Sequence, residues 1–114
     1  INAHATSTPV GDLNEAKAIA EVFGNHRPYV TSTKSQTGHE MWMAGASEVI
    51  YSILMMNNGF IAPNLNFEEP DEASALLNIP SRRIETEFDT FLSNSFGFGG
   101  TNSSLIIRKF KENN

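Results

Sequence analysis

Apolar residues recur at helical spacing in the first third of the chain. They lie three or four positions apart, at Leu13, Ala16, Ile19, Ala20 and Phe23. Asp12 can cap the free amides at the start, and Glu15, three residues later, completes a capping-box-like pattern. Gly24 is placed to end the helix. The pattern predicts a first helix over residues 12–23.

A second periodic stretch runs from about Met43 to Asn57 and is apolar on nearly every side. A helix of that kind is usually buried. We therefore expect a second helix in the interior, which ends at the turn-forming Asn57, Asn58 and Gly59.

Short β-rich or extended runs lie at residues 29–33, 60–67, 86–93 and 104–110, with loops at residues 4–12, 34–39 and 94–103. The last two runs predict a hairpin around a glycine-rich tip. The order of strands, loops and helices predicts an α/β layered fold.

Composition and charge argue against several classes of protein and of functional site. The 114 residues carry a net charge of −5 that forms no tail, which argues against a nucleic-acid-binding surface. There is no cysteine, so disulfides, thiolate metal sites and a cysteine nucleophile are excluded within these residues. No apolar run approaches the ~20 residues of a membrane span, and no signal peptide opens the chain. The start at Ile1 favours a piece of a longer protein.

Two loops carry groups suited to acid–base or hydrogen-bond chemistry. His4 can act as an oxyanion donor or an acid–base group, or simply bond to the backbone. Thr6 and Thr8 can bind an extended polar ligand, although Ser/Thr turns are commoner. Lys34 and His39 lie five residues apart across a glycine, and Glu15 is a candidate partner for the lysine. A solvated loop lysine is the alternative.

The densest signal is the run SFGFGGTN at residues 95–102. Its glycines permit close backbone approach, and free amides at such a turn can stabilise an oxyanion. A plain hairpin tip would not need two phenylalanines between glycines. The run lacks the lysine of a phosphate loop and does not match the dinucleotide pattern. His4, His26 and His39 lack metal-ligand spacing, so no metal site is predicted.

Three ordered motifs resemble those of the β-ketoacyl-acyl carrier protein synthases. They are HATSTPVGD at residues 4–12 with Glu15, KSQTGH at residues 34–39, and NSFGFGGTN at residues 94–102. Residues 51–54 and 60–63 look most like the type I elongating branch. The resemblance covers essentially the whole chain. It implies a thiolase-like fold of two similar halves, of which residues 1–114 would be the C-terminal one, a layered α/β unit with a mixed sheet.

The resemblance also implies a reaction and its residues. A cysteine in the other half would take the acyl chain from acyl carrier protein, and malonyl-carrier protein would lose carbon dioxide and attack the acyl thioester. His4 and His39 would stabilise the thioester enolate, and Lys34, paired with Glu15, would organise the site.

The remaining site residues are assigned by resemblance too. Thr6 and Thr8 would contact phosphopantetheine. Phe98 would act as gatekeeper, and its backbone amide would join the oxyanion hole. The supporting residues would be Asp12, Glu15, Phe96, Phe98, Gly99 and Asn102.

For the whole enzyme, the resemblance implies decarboxylative condensation in fatty-acid elongation. It also implies a cytoplasmic homodimer with no bound cofactor, since phosphopantetheine arrives on the carrier protein. We expect no membrane or nucleic-acid partner. This chain alone should be inactive and should expose apolar surface where the other half packs.

Two departures from the family pattern stand out. Ala5 replaces the usual glycine after the first histidine, and Met43 lies where glycine is expected. Alternative functions are a polyketide-type synthase, a non-catalytic partner subunit of the same fold, and a free-standing binding module. The retained histidines and lysine argue against the partner subunit, and the start without Met argues against the module.

Overall fold

The computed structural model describes residues 1–112. Its longer helices are α1 (Pro9–Phe23) and α3 (Ala44–Asn58), with a single helical turn between them, α2 (Lys34–Thr37). Short 3₁₀ turns span Met41–Met43 and Ser74–Leu76. The strands are β1 (Phe60–Ile61), β2 (Ile84–Glu85), β3 (Thr90–Phe96) and β4 (Asn102–Arg108).

The named strands form two antiparallel pairs, and parallel pairing is confined to isolated bridges, so no continuous mixed sheet forms among the described residues. β3 and β4 form an antiparallel hairpin in which Phe96 pairs with Asn102. The extended segment 1–3 lies beside β3, because Asn2 forms parallel bridges to both Ser93 and Thr31. Tyr29 continues the parallel pairing to Asn78, and β1 and β2 form a separate antiparallel pair.

Helices cover both faces of segment 1–3. Ala3 is buried in a cluster with Ile19 of α1 and Val30. The side chain of Asn2 instead donates to the Ser52 Oγ and the Glu48 carbonyl of α3. Because successive side chains of an extended segment point to opposite faces, α1 and α3 lie on opposite sides of it. The predicted layered α/β fold is therefore confirmed.

The start of α1 differs from the prediction. The N-cap residue is Thr8, and Pro9 occupies the first turn, where its missing N–H and fixed φ cost nothing. Asp12 is therefore not the cap and lies within the first turn. Glu15 turns away from the helix and binds the loop before it. The predicted capping box was wrong because the helix begins earlier, at Pro9, and the Glu15 carboxylate binds the amides of His4 and Ala5 instead of a cap residue.

The interior position predicted for α3 was also wrong. The helix buries Ala44, Glu48, Ser52, Met55 and Met56. Ile50 and Leu54 are 55 % and 51 % exposed on its outer face. One face therefore packs against β3 and β1, and the other is uncovered in this chain.

Other element boundaries also differ from the prediction: residues 29–33 form only isolated bridges, the run at 60–67 is a strand only over β1, and the last strand is β4 rather than 104–110. Residues 34–37, expected as loop, form the turn α2 because Gly38 closes it with its N–H on the Lys34 carbonyl. The strand expected at residues 86–93 runs instead over β3. Among the helices of residues 1–112, none is long and apolar enough to cross a membrane.

Candidate active site

The fold brings the two predicted histidines together. Their ring centroids are 5.7 Å apart and the rings stand edge to face. Phe96 of β3 lies on another side of His4, at 5.2 Å between centroids. Residues 35 positions apart in the chain thus share one site, since His4 follows segment 1–3 and His39 follows α2.

Glu15 fixes the His4 loop rather than pairing with the lysine. Its two carboxylate oxygens accept hydrogen bonds from the backbone amides of His4 and Ala5, both at 2.8 Å. Asn94 of β3 donates to the same carboxylate at 3.1 Å. A buried carboxylate with three donors is well satisfied. The predicted ion pair between Lys34 and Glu15 was therefore wrong.

The ammonium of Lys34 pairs instead with Glu48 of α3. Both side chains are almost completely buried, with 6 % and 3 % of their surface exposed. Burial raises the pKa of the Glu48 carboxyl, and the hydrogen bond from Lys34 opposes that rise. A buried cation with its own counter-ion therefore lies near His4, where its charge lowers the pKa of that histidine.

A second buried residue connects the two loops. Asn2, 2 % exposed, donates to the Thr33 hydroxyl at 3.2 Å and accepts from the Thr33 amide at 3.3 Å. Thr33 immediately precedes Lys34. The segment that leads to His4 is thus tied directly to the turn that leads to His39.

The electrostatics favour a neutral His4. Burial lowers its pKa, and the nearby charge of Lys34 lowers it further, while Glu15 acts in the opposite direction. A neutral imidazole keeps one N–H and can donate a hydrogen bond. Burial also raises the pKa of Asp12, which lies beside this loop.

The tautomer of neutral His39 is set by its neighbour. The backbone amide of Met41 donates to Nδ1 of His39 at 2.9 Å. Because Nδ1 accepts, the proton of the neutral ring lies on Nε2. His39 is exposed and can present that N–H to a ligand.

The two threonines differ in their place at this centre. A groove of about 450 Å³ is lined by Thr6, Glu15, Lys34 and His39, among others. The Thr6 and Thr8 hydroxyls are 3.2 Å apart, and only Thr6 lines the groove. Both can hydrogen-bond an extended polar ligand.

At the hairpin tip, Gly99 and Gly100 adopt φ of 86° and 88°, a conformation that favours glycine. Phe98 stands fully exposed there and Asn102 begins β4. The supporting roles predicted for these residues stay predictions. Within residues 1–112, no group of three or more His, Cys, Asp or Glu side chains could hold a metal ion.

Sequence reasoning missed three residues of the site: Glu48, Asn94 and Asn2. Glu48 was detectable in principle, because it is the one charged side chain in a helix that otherwise reads as apolar. Such a charge is buried only with a partner. Asn94 opens the motif at residues 94–102 but was not singled out as a site residue, and Asn2 carried no signal that distinguishes it from an ordinary strand residue.

The site can hold a negatively charged oxygen. His39 offers an Nε2–H, neutral His4 offers a second N–H, and Lys34 supplies a nearby positive charge. Preorganised donors of this kind stabilise developing enolates and oxyanions.

Comparisons with known proteins identify the family of this chain. The family model "Beta-ketoacyl synthase, C-terminal domain" matches residues 1–68. The "3-oxoacyl-[acyl-carrier-protein] synthase 1" of Escherichia coli K12 is 54 % identical over 112 residues, which are 98 % of this chain and 28 % of that protein. The chain thus spans little more than a quarter of the curated relatives that it matches.

Two solved structures superpose closely. A β-ketoacyl synthase from Burkholderia phymatum STM815 has a TM-score of 0.89 at 41 % identity. A type II polyketide synthase ketosynthase, solved with its acyl-carrier protein and bound to the hexaketide, has a TM-score of 0.88 at 32 % identity. Each match covers 96 % of this chain and 27 % of the other. The chain, with its thiolase-like fold, therefore belongs to the β-ketoacyl synthase family.

Proposed function

We propose that the protein carrying this chain is a 3-oxoacyl-[acyl-carrier-protein] synthase, and that residues 1–114 are its C-terminal domain. One observation carries the proposal. Two imidazoles lie 5.7 Å apart, with a buried lysine near enough to lower the pKa of His4, in a chain 54 % identical to a synthase of that name.

The proposed reaction begins with an acyl group on a cysteine thiolate of the other half. The malonyl thioester then loses its carboxylate as carbon dioxide, and the bonding electrons pass into the thioester as an enolate. His39 Nε2–H and the N–H of His4 donate to the enolate oxygen. The enolate carbon attacks the acyl carbonyl, a carbon–carbon bond forms, and the cysteine leaves as thiolate.

Binding of the carrier arm follows from the groove. Thr6 lies on its wall with Lys34 and His39, so a phosphopantetheine arm in the groove would reach His39. We propose acyl carrier protein as the partner, with Thr6 and Thr8 as hydrogen-bonding groups for that arm. No cofactor of the enzyme's own is required.

The exposed apolar side chains support the proposal that a second half of the enzyme packs against this chain. Trp42 and Phe98 are fully exposed, and Ile50 and Leu54 of α3 are about half exposed. Exposed apolar area of this extent is typical of an interaction surface. We expect the isolated chain to bind an apolar dye strongly and to be catalytically inactive. Weak dye binding with a cooperative melt would argue against this packing.

Intact-mass spectrometry tests the covalent step. The full-length protein is incubated with an acyl-acyl carrier protein, and a mass increase equal to the acyl group is expected. Mutation of one upstream cysteine should abolish the increase. No increase, with a folded protein and a competent donor, would favour a non-catalytic partner subunit.

Malonyl decarboxylation tests the histidines. We expect His4→Ala and His39→Ala to slow it by about 100-fold or more, because each removes an enolate donor. His26→Ala is the matched control, since His26 lies on the exposed turn after α1.

A product extended by several rounds from one acyl group would indicate the polyketide-type alternative.

A further inference from the structure

The turn after His39 contains a backbone conformation that is unusual for its residue. Met41 has φ of 56°, in the left-handed region. That region costs a non-glycine residue about 1–2 kcal/mol. The N–H of the same residue donates to His39 Nδ1 at 2.9 Å. Its peptide plane is oriented by the backbone of Glu40, so the conformation at Glu40 and the tautomer of His39 are linked.

A side-chain contact fastens the same turn to α3. The Tyr51 hydroxyl donates to the Glu40 carboxylate at 2.6 Å. The nearby hydroxyls of Ser47 and Tyr51 lower the pKa of Glu40, so its carboxylate is charged near neutral pH. A hydrogen bond to a charged acceptor is stronger than one between neutral groups.

The two contacts involve consecutive residues of the chain. Glu40 lies between His39 and Met41 in the chain, so its anchoring fixes the start of the 3₁₀ turn Met41–Met43. The Met43 amide closes this turn on the Glu40 carbonyl at 3.3 Å. The Ala44 amide holds the far side of the turn by donating to the Met41 carbonyl, and the Tyr51–Glu40 hydrogen bond is the side-chain contact that ties the His39 side of the turn to α3.

We propose that Glu40 and Tyr51 are positioning residues for His39. Their hydrogen bond holds the turn on α3, keeps the Met41 N–H on Nδ1, and leaves the Nε2–H of His39 to the substrate. The tautomer part stands on the structure alone, and the substrate part rests on the proposed function.

The first measurement is the tautomer of His39 in the full-length protein. Histidine side chains are ¹⁵N-labelled and observed at about pH 8, where imidazoles are neutral. The His39 signals are assigned with His39→Gln. We expect a single Nε2–H tautomer in the wild type and a mixture in Tyr51→Phe and Glu40→Ala.

The variants include their own controls. Glu40→Gln keeps an oxygen that can accept from Tyr51, so it should keep the wild-type tautomer. Tyr29→Phe removes the hydroxyl of the other tyrosine, which lies at the Asn78 edge of the sheet, and should change nothing. If Tyr51→Phe does not fold, Glu40→Ala at the partly exposed carboxylate gives the same test.

The second measurement is malonyl-thioester decarboxylation. A misplaced donor lowers the rate of the chemical step, so we expect kcat about 10-fold lower in Tyr51→Phe and Glu40→Ala, with KM unchanged. Glu40→Gln and Tyr29→Phe should match the wild type.

Three results would overturn the proposal. One is an Nδ1–H tautomer in the wild type, and another is a wild-type tautomer in both Tyr51→Phe and Glu40→Ala. The third is equal loss of kcat in Glu40→Gln and Glu40→Ala, since a positioning role predicts rescue. An inactive wild-type protein with the expected tautomer pattern would refute the proposed function and leave the positioning role supported.

Discussion

The two histidines of the site are held by different means. His4 is partly buried, and its backbone amide donates a hydrogen bond to the buried carboxylate of Glu15, which also accepts one from Asn94 of β3. His39 is exposed, and its ring is tied to Met41, two residues further along. The first histidine is thus fixed by contacts with segments distant in the chain. The second is fixed within its own turn, which follows Lys34 of the Lys34–Glu48 pair.

This difference suggests that the two histidine loops differ in mobility. A loop anchored through a buried charge should resist movement until the core itself opens. A loop anchored by local contacts can adjust when a substrate enters. Variants that remove each anchor should therefore separate effects on stability from effects on one histidine.

The largest expected effect comes from Glu48→Ala. It leaves the Lys34 ammonium buried without its counter-ion, so we expect the free energy of unfolding to fall by about 3–5 kcal/mol. Urea unfolding measures it. Glu85→Ala is the control, because Glu85 pairs with Arg83 on the surface and should cost about 0.5 kcal/mol. Equal losses in the two variants would show that the buried pair contributes no more to stability than the surface pair.

Glu15→Gln breaks the anchor of His4. The amide oxygen can accept one backbone N–H, but the amide nitrogen faces the other donor, so we expect a loss of about 2 kcal/mol. The charge of Glu15 raises the pKa of His4, so that pKa should fall further in the variant. An NMR titration of His4 checks the sign.

Glu21→Gln is the matched control for that variant, since Glu21 is exposed on the same helix. It should leave both the stability and the His4 titration unchanged. A rise of the His4 pKa in Glu15→Gln would contradict the geometry of this anchor.

Gly38→Ala strains the His39 side. Gly38 has φ of 75° and ψ of −178°, a region open essentially to glycine alone, although no atom would crowd an added Cβ. We expect a cost of about 1–3 kcal/mol and slower malonyl decarboxylation, with the His4 titration unchanged. Gly97→Ala, at an ordinary φ with ordinary contacts, is the stability control. Equal stability of the two variants would refute the strain argument.

The smallest expected effect is on the pH dependence of stability. Because the pKa of His4 is lowered in the fold from its ordinary 6.5, the unfolded chain binds the proton more readily. The contribution of neutral His4 is present above about pH 6.5 and is lost as the pH falls from there toward the lowered pKa. The wild type should therefore lose stability relative to His4→Gln over that range. Melting temperatures of both proteins test this, and parallel curves would contradict it.

Local patterns in the sequence were enough for much of the fold. Apolar spacing and a closing glycine located α1 and α3 to within three residues, since helix periodicity and termination are local properties. The tip of the β3–β4 hairpin was marked by its glycines. The sites of His4, Lys34 and His39 were marked by motifs, and the structure brings all three together.

Tertiary structure alone decided which groups meet. The partner of Lys34 is Glu48 and not Glu15, because α3 carries Glu48 beneath α2 while α1 carries Glu15 to the His4 loop. Burial of one face of α3, and exposure of Ile50 and Leu54 on the other, depends on what packs against the helix. Periodicity reports that a face is apolar, but charge pairing and burial arise between segments distant in the chain, and only the folded geometry sets those distances.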